Sequence, residues 1–230
     1  MKDLPYIKNN YQELIGELDA IADRVGVKTP TLVAVTKSGT DEELCELVRS
    51  GALNIGENRP QELRRRADLL GALGYSPILH EIGTLQRNKV KLIIKDVALI
   101  HSLDSIRLAD EIEKQAAAAS RCVPVLIEIN SAKEENKSGV MPEEAEALLV
   151  EVLKREHIEV RGLMTMGPAE CTEGELRGYF RQTKKLFDTL NDRYGFGKNA
   201  TLSMGMSDSY RAAIEEGSTL VRVGRRLFRK

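Results

Sequence analysis

The chain has 230 residues, 30% of them charged, with a net charge of −1, so its length allows one large domain or two small ones. The balanced charge gives no strong field for attracting nucleic acid or a membrane surface. Three widely spaced cysteines match neither a zinc site nor a disulfide framework, and no apolar stretch has the length of a membrane span or of a secretion signal. We therefore expect a cytoplasmic protein without a metal, a nucleic-acid partner or a membrane partner.

The chain begins with an amphipathic helix, predicted over residues 5–25 from apolar residues at helical spacing, and Gly26 provides a stop. Beyond it, short apolar and β-branched runs alternate with helical patterns. These runs predict strands over 32–38, 53–55, 77–82, 97–102, 123–129, 158–166, 201–204 and 219–223. Helices are predicted from Thr40, from Asn58 through Leu70, over 87–94, 104–119, 142–155 and 174–191, and from a cap at Ser207 or Asp208 to Gly217.

Eight βα units in one direction, without a long linker or a break in composition, predict an α/β fold. We expect a single closed (β/α)8 TIM barrel, with residues 1–230 as one domain. The alternative architecture is an open doubly wound sheet, which usually needs fewer strands. Only residues 224–230 follow the eighth predicted strand, too few for a covering helix. The extra N-terminal helix over 5–25 is therefore expected to fill that position in the barrel.

Functional residues of such a barrel lie at the C-terminal ends of its strands. The first strand ends in Lys37, which either extends into solvent or serves as an amine nucleophile. The Ser- and Gly-rich turn 203–208 opens into a helix, which indicates either an ordinary cap or a phosphate site. Arg222, in an apolar strand, needs a partner such as Glu128, Glu81 or a pyridine nitrogen. An amine, a phosphate cradle and an interior arginine together predict a pocket for pyridoxal 5′-phosphate (PLP).

The remaining polar residues on or beside the strands do not point to a further catalytic or metal site. His80, His101 and His157 are expected to be hydrogen-bonded core or loop histidines rather than bases. The strand ends provide neither a pair of carboxylates nor a metal-binding cluster, so the sequence does not favour glycosidase or metal-hydrolase chemistry.

The sequence resembles the YggS/PROSC family of PLP-binding proteins, also called PLP homeostasis proteins, over residues 6–228. The resemblance rests on ordered motifs spread along the chain: VAVTK ending at Lys37, GENRPQE at 56–62, HEIGTLQRNK at 80–89, KSG at 137–139, GLMTMG at 162–167, LSMGMSD at 202–208, AAIEEGS at 212–218 and VRVG at 221–224. It implies a barrel like the N-terminal domain of alanine racemase, with PLP held on Lys37 as a Schiff base.

The same resemblance implies a role in intracellular PLP (vitamin B6) and amino-acid homeostasis. It implies a monomer without enzymatic turnover or catalytic residues, which holds PLP and hands it to PLP-dependent apo-enzymes. The cofactor-binding residues that it implies are Lys37, Asn58, Ser203, Met204, Ser207, Arg222, Gly224 and Arg225. Within this set Asn58 is expected near the ring and Arg222 at the pyridine nitrogen, with Ser203 and Gly224 at the phosphate.

Alternatives remain open within this interpretation. One is a PLP-dependent, racemase-like enzyme in which Lys37 is one base and Tyr210 the other, although we expect Tyr210 on the surface of its helix. Another is a Schiff-base aldolase or a sugar-phosphate binder on the same barrel. Lys137, in the loop after the fifth strand, is either a solvated lysine or a transient acceptor of PLP. Two residues depart from the family pattern. Glu81 stands where the family more often has an aromatic or apolar residue, and Arg225 stands where a small hydroxyl residue is common.

Overall fold

The structure is a computed structural model that describes residues 4–134, 136–168 and 170–230. Within these ranges, eight parallel strands form a closed barrel in the order of the chain, with β8 paired to β1. The strands are β1 Thr31–Val35, β2 Asn54–Glu57, β3 Ile78–Glu81, β4 Val97–Leu103, β5 Val123–Ile129, β6 Ile158–Thr165, β7 Thr201–Ser203 and β8 Leu220–Val223. This closure confirms the predicted (β/α)8 barrel and excludes the open sheet.

Helices alternate with these strands: α1 Pro5–Val25, α2 Asp41–Arg49, α3 Pro60–Ala72, α4 Val90–Ile93, α5 Ile106–Ala118, α6 Ala145–Val152, α7 Glu173–Tyr194 and α8 Tyr210–Glu215. The helices predicted over 87–94 and 142–155 are shorter than expected, because each begins as a 3-10 turn. The 3-10 turn before α4, Arg87–Lys89, has no capping side chain. It also has two basic residues, whose charge is unfavourable at the N-terminal end of a helix dipole. In the part of the chain described, no helix combines the length and hydropathy needed to cross a bilayer.

The N-terminal helix α1 completes the outer layer beside β8, as predicted. It contacts both α8 and α2, and Gly26 ends it in the left-handed conformation, with φ of 70°. Its buried face presents Leu14 and Leu18 to an apolar cluster that includes Val221 of β8. Residues 224–230 contain one turn and neither helix nor strand, and α1 covers the barrel on the side of β8.

Side chains of a strand alternate between the interior and the outer layer of the barrel. An apolar layer closes the interior and consists of Val33, Leu99, Leu126, Met164 and Leu220. The same alternation turns Arg222 inward, two residues after Leu220, and directs Lys37 to the mouth, four residues after Val33. Because Val33 of β1 pairs with Arg222 of β8, Arg222 and Lys37 belong to neighbouring strands, and Lys37 lies closer to the mouth than Arg222 does.

Candidate functional site

Lys37 lies just beyond the end of β1, at the mouth of the barrel, and its side chain is exposed. The preceding residue, Thr36, is buried, and its hydroxyl donates to the Glu57 carboxylate at 2.6 Å. Thr36 therefore faces the outer layer, and Lys37 takes the alternate, inward side. Three residues later Thr40 begins α2 with a capping box that includes Glu43. The segment that carries Lys37 is thus fixed at both ends while its amine stays accessible.

A buried arginine from α3 holds the same segment. The Nε atom of Arg66 lies 3.1 Å from the Glu57 carboxylate, and both side chains are almost completely buried. Its Nη2 atom donates to the Gly39 carbonyl at 2.9 Å. Glu57 therefore joins Thr36 of the β1 segment to Arg66, which in turn binds the same loop at Gly39. This bridge fixes the backbone on either side of Lys37.

Asn58 follows β2 and is exposed at the mouth, where the resemblance predicts a residue near the ring. The loop after β3 packs directly against it, because a Cβ atom at Gly83 would overlap the Asn58 carbonyl oxygen. The Gly83 N–H also donates to the Glu81 carboxylate at 3.2 Å. Only glycine allows this close approach, so position 83 helps to fix where Asn58 lies.

The loops after β7 and β8 bring two of the predicted cofactor-binding residues, Ser207 and Gly224, together. The Gly224 N–H donates to the Ser207 hydroxyl at 3.3 Å, and the Arg222 N–H donates to the Gly205 carbonyl at 3.0 Å. Gly205 has φ of 95°, and a Cβ atom there would lie 2.6 Å from the Ala213 Cβ. These contacts join the loops after β7 and β8 at the mouth end of the barrel, and a hydroxyl with neighbouring backbone N–H groups is a donor set suited to an anion.

Ser203 and Met204, also predicted as cofactor residues, have their side chains elsewhere. The Ser203 side chain is fully buried below the mouth and bonds to Arg222 and His101. Met204 packs in the outer apolar core, and its N–H donates to the Leu220 carbonyl at 3.2 Å. Any contact that these two residues make with a phosphate stays a prediction.

Arg222 is buried, and neither Glu128 nor Glu81, the acidic partners considered from the sequence, forms an ion pair with it among the described residues. Its Nη1 donates to the Ser203 hydroxyl, and its Nη2 donates to the Thr165 carbonyl at 3.0 Å. Neutral acceptors suffice because a guanidinium distributes its charge over five donors. Glu128 accepts from the Ser138 hydroxyl at 3.0 Å instead, and Glu81 faces the outer layer. Burial lowers the pKa of Arg222 to about 10, and the nearby Glu128 charge partly opposes this.

Arg225 and Lys137 lie at the rim of the mouth, and each pairs with an acid. Arg225 forms an ion pair with Asp208 that joins the loops after β8 and β7, and both side chains are largely exposed. Lys137 is half-buried and lies 2.9 Å from the Glu134 carboxylate. Exposed pairs of this kind contribute little to stability, so either cation can exchange its partner for a ligand.

Tyr210 is buried, with 2% of its surface exposed, and the prediction of a surface position was wrong. Its ring packs in the apolar cluster beneath α1, and its hydroxyl bonds to Glu17 of α1 and to Arg226. Helix α8 also begins later than predicted. Ser209 precedes it, and the Ser209 hydroxyl accepts from the Met206 N–H at 2.9 Å, which makes residues 207–209 a turn. Neither Ser207 nor Asp208 is the cap.

The histidines are hydrogen-bonded, as predicted, but sequence reasoning missed how. His157 lies 2.8 Å from the Glu113 carboxylate. His80 and His101 are buried and join a continuous chain of side chains that ends at Ser203. Burial lowers the pKa of His80 to about 4 and that of His101 well below its usual range. The available signal was their inward position on β3 and β4, on the same side as Arg222.

Similarity to known proteins extends over almost the whole chain. The family model described as alanine racemase, N-terminal domain, matches residues 7–229. A pyridoxal phosphate homeostasis protein of Aquifex aeolicus is 40% identical over 203 residues, which cover 88% of each chain. The protein of that name from Escherichia coli is 34% identical and covers 96% of this chain and 95% of its own.

Solved structures show the same relationship. PipY of Synechococcus elongatus, a structure with PLP bound, superposes with a TM-score of 0.80 at 29% identity, covering 94% of this chain and all of PipY. A protein of Bifidobacterium adolescentis gives a TM-score of 0.90 at 32% identity, over 99% of this chain and 98% of that one. An alanine racemase of Clostridium difficile, 18% identical with a TM-score of 0.77, shares the fold over 57% of its own length.

Proposed function

This chain belongs to the alanine racemase N-terminal-domain family and, within it, to the pyridoxal phosphate homeostasis proteins, and we propose that it binds PLP on Lys37. The Lys37 amine and the PLP aldehyde form a Schiff base with loss of one water molecule. The protein serves intracellular PLP (vitamin B6) and amino-acid homeostasis by holding PLP and releasing it to PLP-dependent apo-enzymes. Its unpaired cysteines favour the reducing cytoplasm, and we propose that it acts there as a monomer.

The arrangement of three neighbouring strands carries the proposal. Lys37 after β1, Arg222 of β8 and the Ser207–Gly224 contact between the β7 and β8 loops all belong to the mouth end of the barrel. The donor set fits PLP, because it provides an amine for the aldehyde, a guanidinium for the ring nitrogen, and a hydroxyl with backbone N–H groups for the phosphate. Bound PLP supplies an electron sink, and an arginine at its ring nitrogen weakens that sink.

A carrier without turnover fits the site better than a racemase does. Racemisation needs a second base on the face opposite Lys37. The candidate for that base, Tyr210, is packed beneath α1 and bonded to Glu17. Its hydroxyl is therefore committed to the outer layer of the barrel. We therefore predict that the loaded protein exchanges the Cα hydrogen of amino acids for deuterium no faster than free PLP does. Exchange well above that rate would favour the racemase-like enzyme instead.

The absorbance of the PLP-loaded protein tests the proposed function. We expect a Schiff-base band in the unaltered protein, and its loss in Lys37→Ala, because the amine that forms the bond is removed. Lys137→Ala is the matched control, since it removes the other lysine near the mouth, and it retains the band. PLP from the loaded protein is then expected to activate an added apo-enzyme. A Lys37→Ala protein with the full band at unchanged stoichiometry would overturn the proposal.

A further inference from the structure

A chain of buried hydrogen bonds crosses the barrel below the mouth, and we propose that it positions Arg222. In this proposal His101 fixes the guanidinium of Arg222 by orienting the hydroxyl of Ser203. The inference rests on the proposed function in one respect, since it takes Arg222 to face the ring nitrogen of PLP. His101 itself is a positioning residue and touches no ligand.

The chain of hydrogen bonds joins side chains of five strands, β2, β3, β4, β7 and β8, without a gap. Starting at β2, the Asn54 Oδ1 lies 3.0 Å from the His80 Nε2, and the His80 Nδ1 lies 2.9 Å from the His101 Nε2. The His101 Nδ1 lies 3.0 Å from the Ser203 Oγ, which accepts from Arg222. Both histidines, Ser203 and Arg222 are less than 5% exposed. Buried polar groups at such distances are directional partners, because each unmade hydrogen bond costs free energy.

The protons along this chain have a consistent direction. The Asn54 oxygen accepts, so His80 carries its proton on Nε2 and accepts on Nδ1. His101 must then donate from Nε2 and accept on Nδ1, and the Ser203 hydroxyl donates to it. Arg222 can only donate, so a lone pair of the Ser203 oxygen accepts the hydrogen bond from the Arg222 guanidinium. In the reverse direction His101 would donate to Ser203, and the Ser203 hydroxyl hydrogen would have no acceptor among the residues that the structure describes.

Both histidines are neutral in this arrangement. A protonated imidazole has a hydrogen on each nitrogen, and a protonated His101 would direct its Nδ1–H at the Ser203 hydroxyl hydrogen. Burial and the adjacent His80 and Arg222 also lower the pKa of His101. Neutrality therefore follows from the hydrogen-bond geometry and is reinforced by burial.

Arg222 is consequently held by two acceptors from different strands, Ser203 of β7 and the Thr165 carbonyl of β6. Two bonds fix the plane of the guanidinium and leave its other N–H groups for a ligand. Without His101, the Ser203 hydrogen is free to turn toward Arg222 and weaken the first of these bonds. The orientation of one hydroxyl thus decides how firmly the cation is held.

The test is a double-mutant cycle on the PLP-loaded protein, read from the pKa of the Schiff-base absorbance band. Ser203→Ala and His101→Leu are each expected to lower that pKa by about 0.5 to 1 unit, because a loosened Arg222 lets the ring nitrogen gain a proton. The double variant is expected to shift no further than a single one, since His101 acts through Ser203. The matched control, His157→Leu, is expected to show no shift. Additive shifts, or an unchanged His101→Leu protein, would overturn the proposal.

Nitrogen NMR of the two histidines tests the chain without PLP and without a buried substitution. The unaltered protein is expected to show His80 and His101 as neutral tautomers with the proton on Nε2 across roughly pH 6 to 8. The Nδ1–H tautomer, or a histidine that titrates in this range, would overturn the proposal even if the buried variants fail to fold. A missing absorbance band in the unaltered protein would refute the proposed function. The NMR result would still show whether the hydrogen bonds of His80 and His101 have the proposed direction.

Discussion

At the scale of single residues, Glu81 is a buried carboxyl group with an incomplete set of hydrogen bonds. Its side chain is fully buried, one oxygen accepts from the Gly83 N–H at 3.2 Å, and Oε2 has no partner within the described ranges. Burial raises the pKa of Glu81 to about 8, and the neighbouring Glu57 carboxylate adds to this. The native protein therefore holds this acid protonated at neutral pH, where the unfolded chain ionises it.

Glu81→Gln is expected to stabilise the protein in a pH-dependent way. Below the usual pKa of 4.5 both states are protonated and the variant gains least, while between that value and about 8 unfolding releases a proton from Glu81. The gain in free energy of unfolding should grow over this interval, to about 3 kcal/mol at pH 7 and about 5 kcal/mol above pH 8. Urea unfolding at several pH values measures it, with the exposed Glu42→Gln as a control. A gain that is equal at low and high pH would contradict the assignment.

At the scale of elements, the loop between β1 and α2 depends on α3 for its position. Arg66→Met removes both the Glu57 ion pair and the bond to the Gly39 carbonyl. We expect a loss of about 3–5 kcal/mol of unfolding free energy, because Glu57 is left buried without its cation. PLP binding should weaken as well, since this loop carries Lys37.

A second substitution separates the two effects of Arg66. Adding Glu57→Gln removes the buried charge, so part of the stability should return while PLP binding stays weak. Urea unfolding and PLP titration of the two single variants and the double variant measure this coupling. Losses of stability that simply add would show that Glu57 and Arg66 do not act as a pair.

Local sequence signals predicted several elements well and others poorly. The acidic first turn after Thr40 predicted α2, and Gly26 correctly marked the end of α1, because both signals act within one helical turn. The position of Tyr210 was mispredicted because its contact with Glu17 joins residues 193 positions apart. The partners of Arg222 were missed for the same reason, since a strand-end pattern does not reveal which neutral acceptors fold against it.

At the scale of the whole molecule, α1 closes the outer layer, and we propose that residues 1–230 form one cooperative domain. Leu14 of α1 is fully buried against residues from the far end of the chain. Leu14→Ala is expected to cost about 2–5 kcal/mol and to shift one common unfolding transition for helix and barrel signals. The control Leu153→Ala, at a residue that is 47% exposed, should change stability little. Separate transitions for α1 and the barrel would contradict a single domain.

The central claim is that Lys37 is the covalent attachment point for PLP. Borohydride reduction of the PLP-loaded protein fixes the linkage, and mass spectrometry of a digest then identifies the modified lysine. We predict a single reduced adduct, on the peptide that contains Lys37, and its absence from Lys37→Ala. An adduct found mainly on Lys137 or on another lysine, with Lys37 unmodified, would contradict the account.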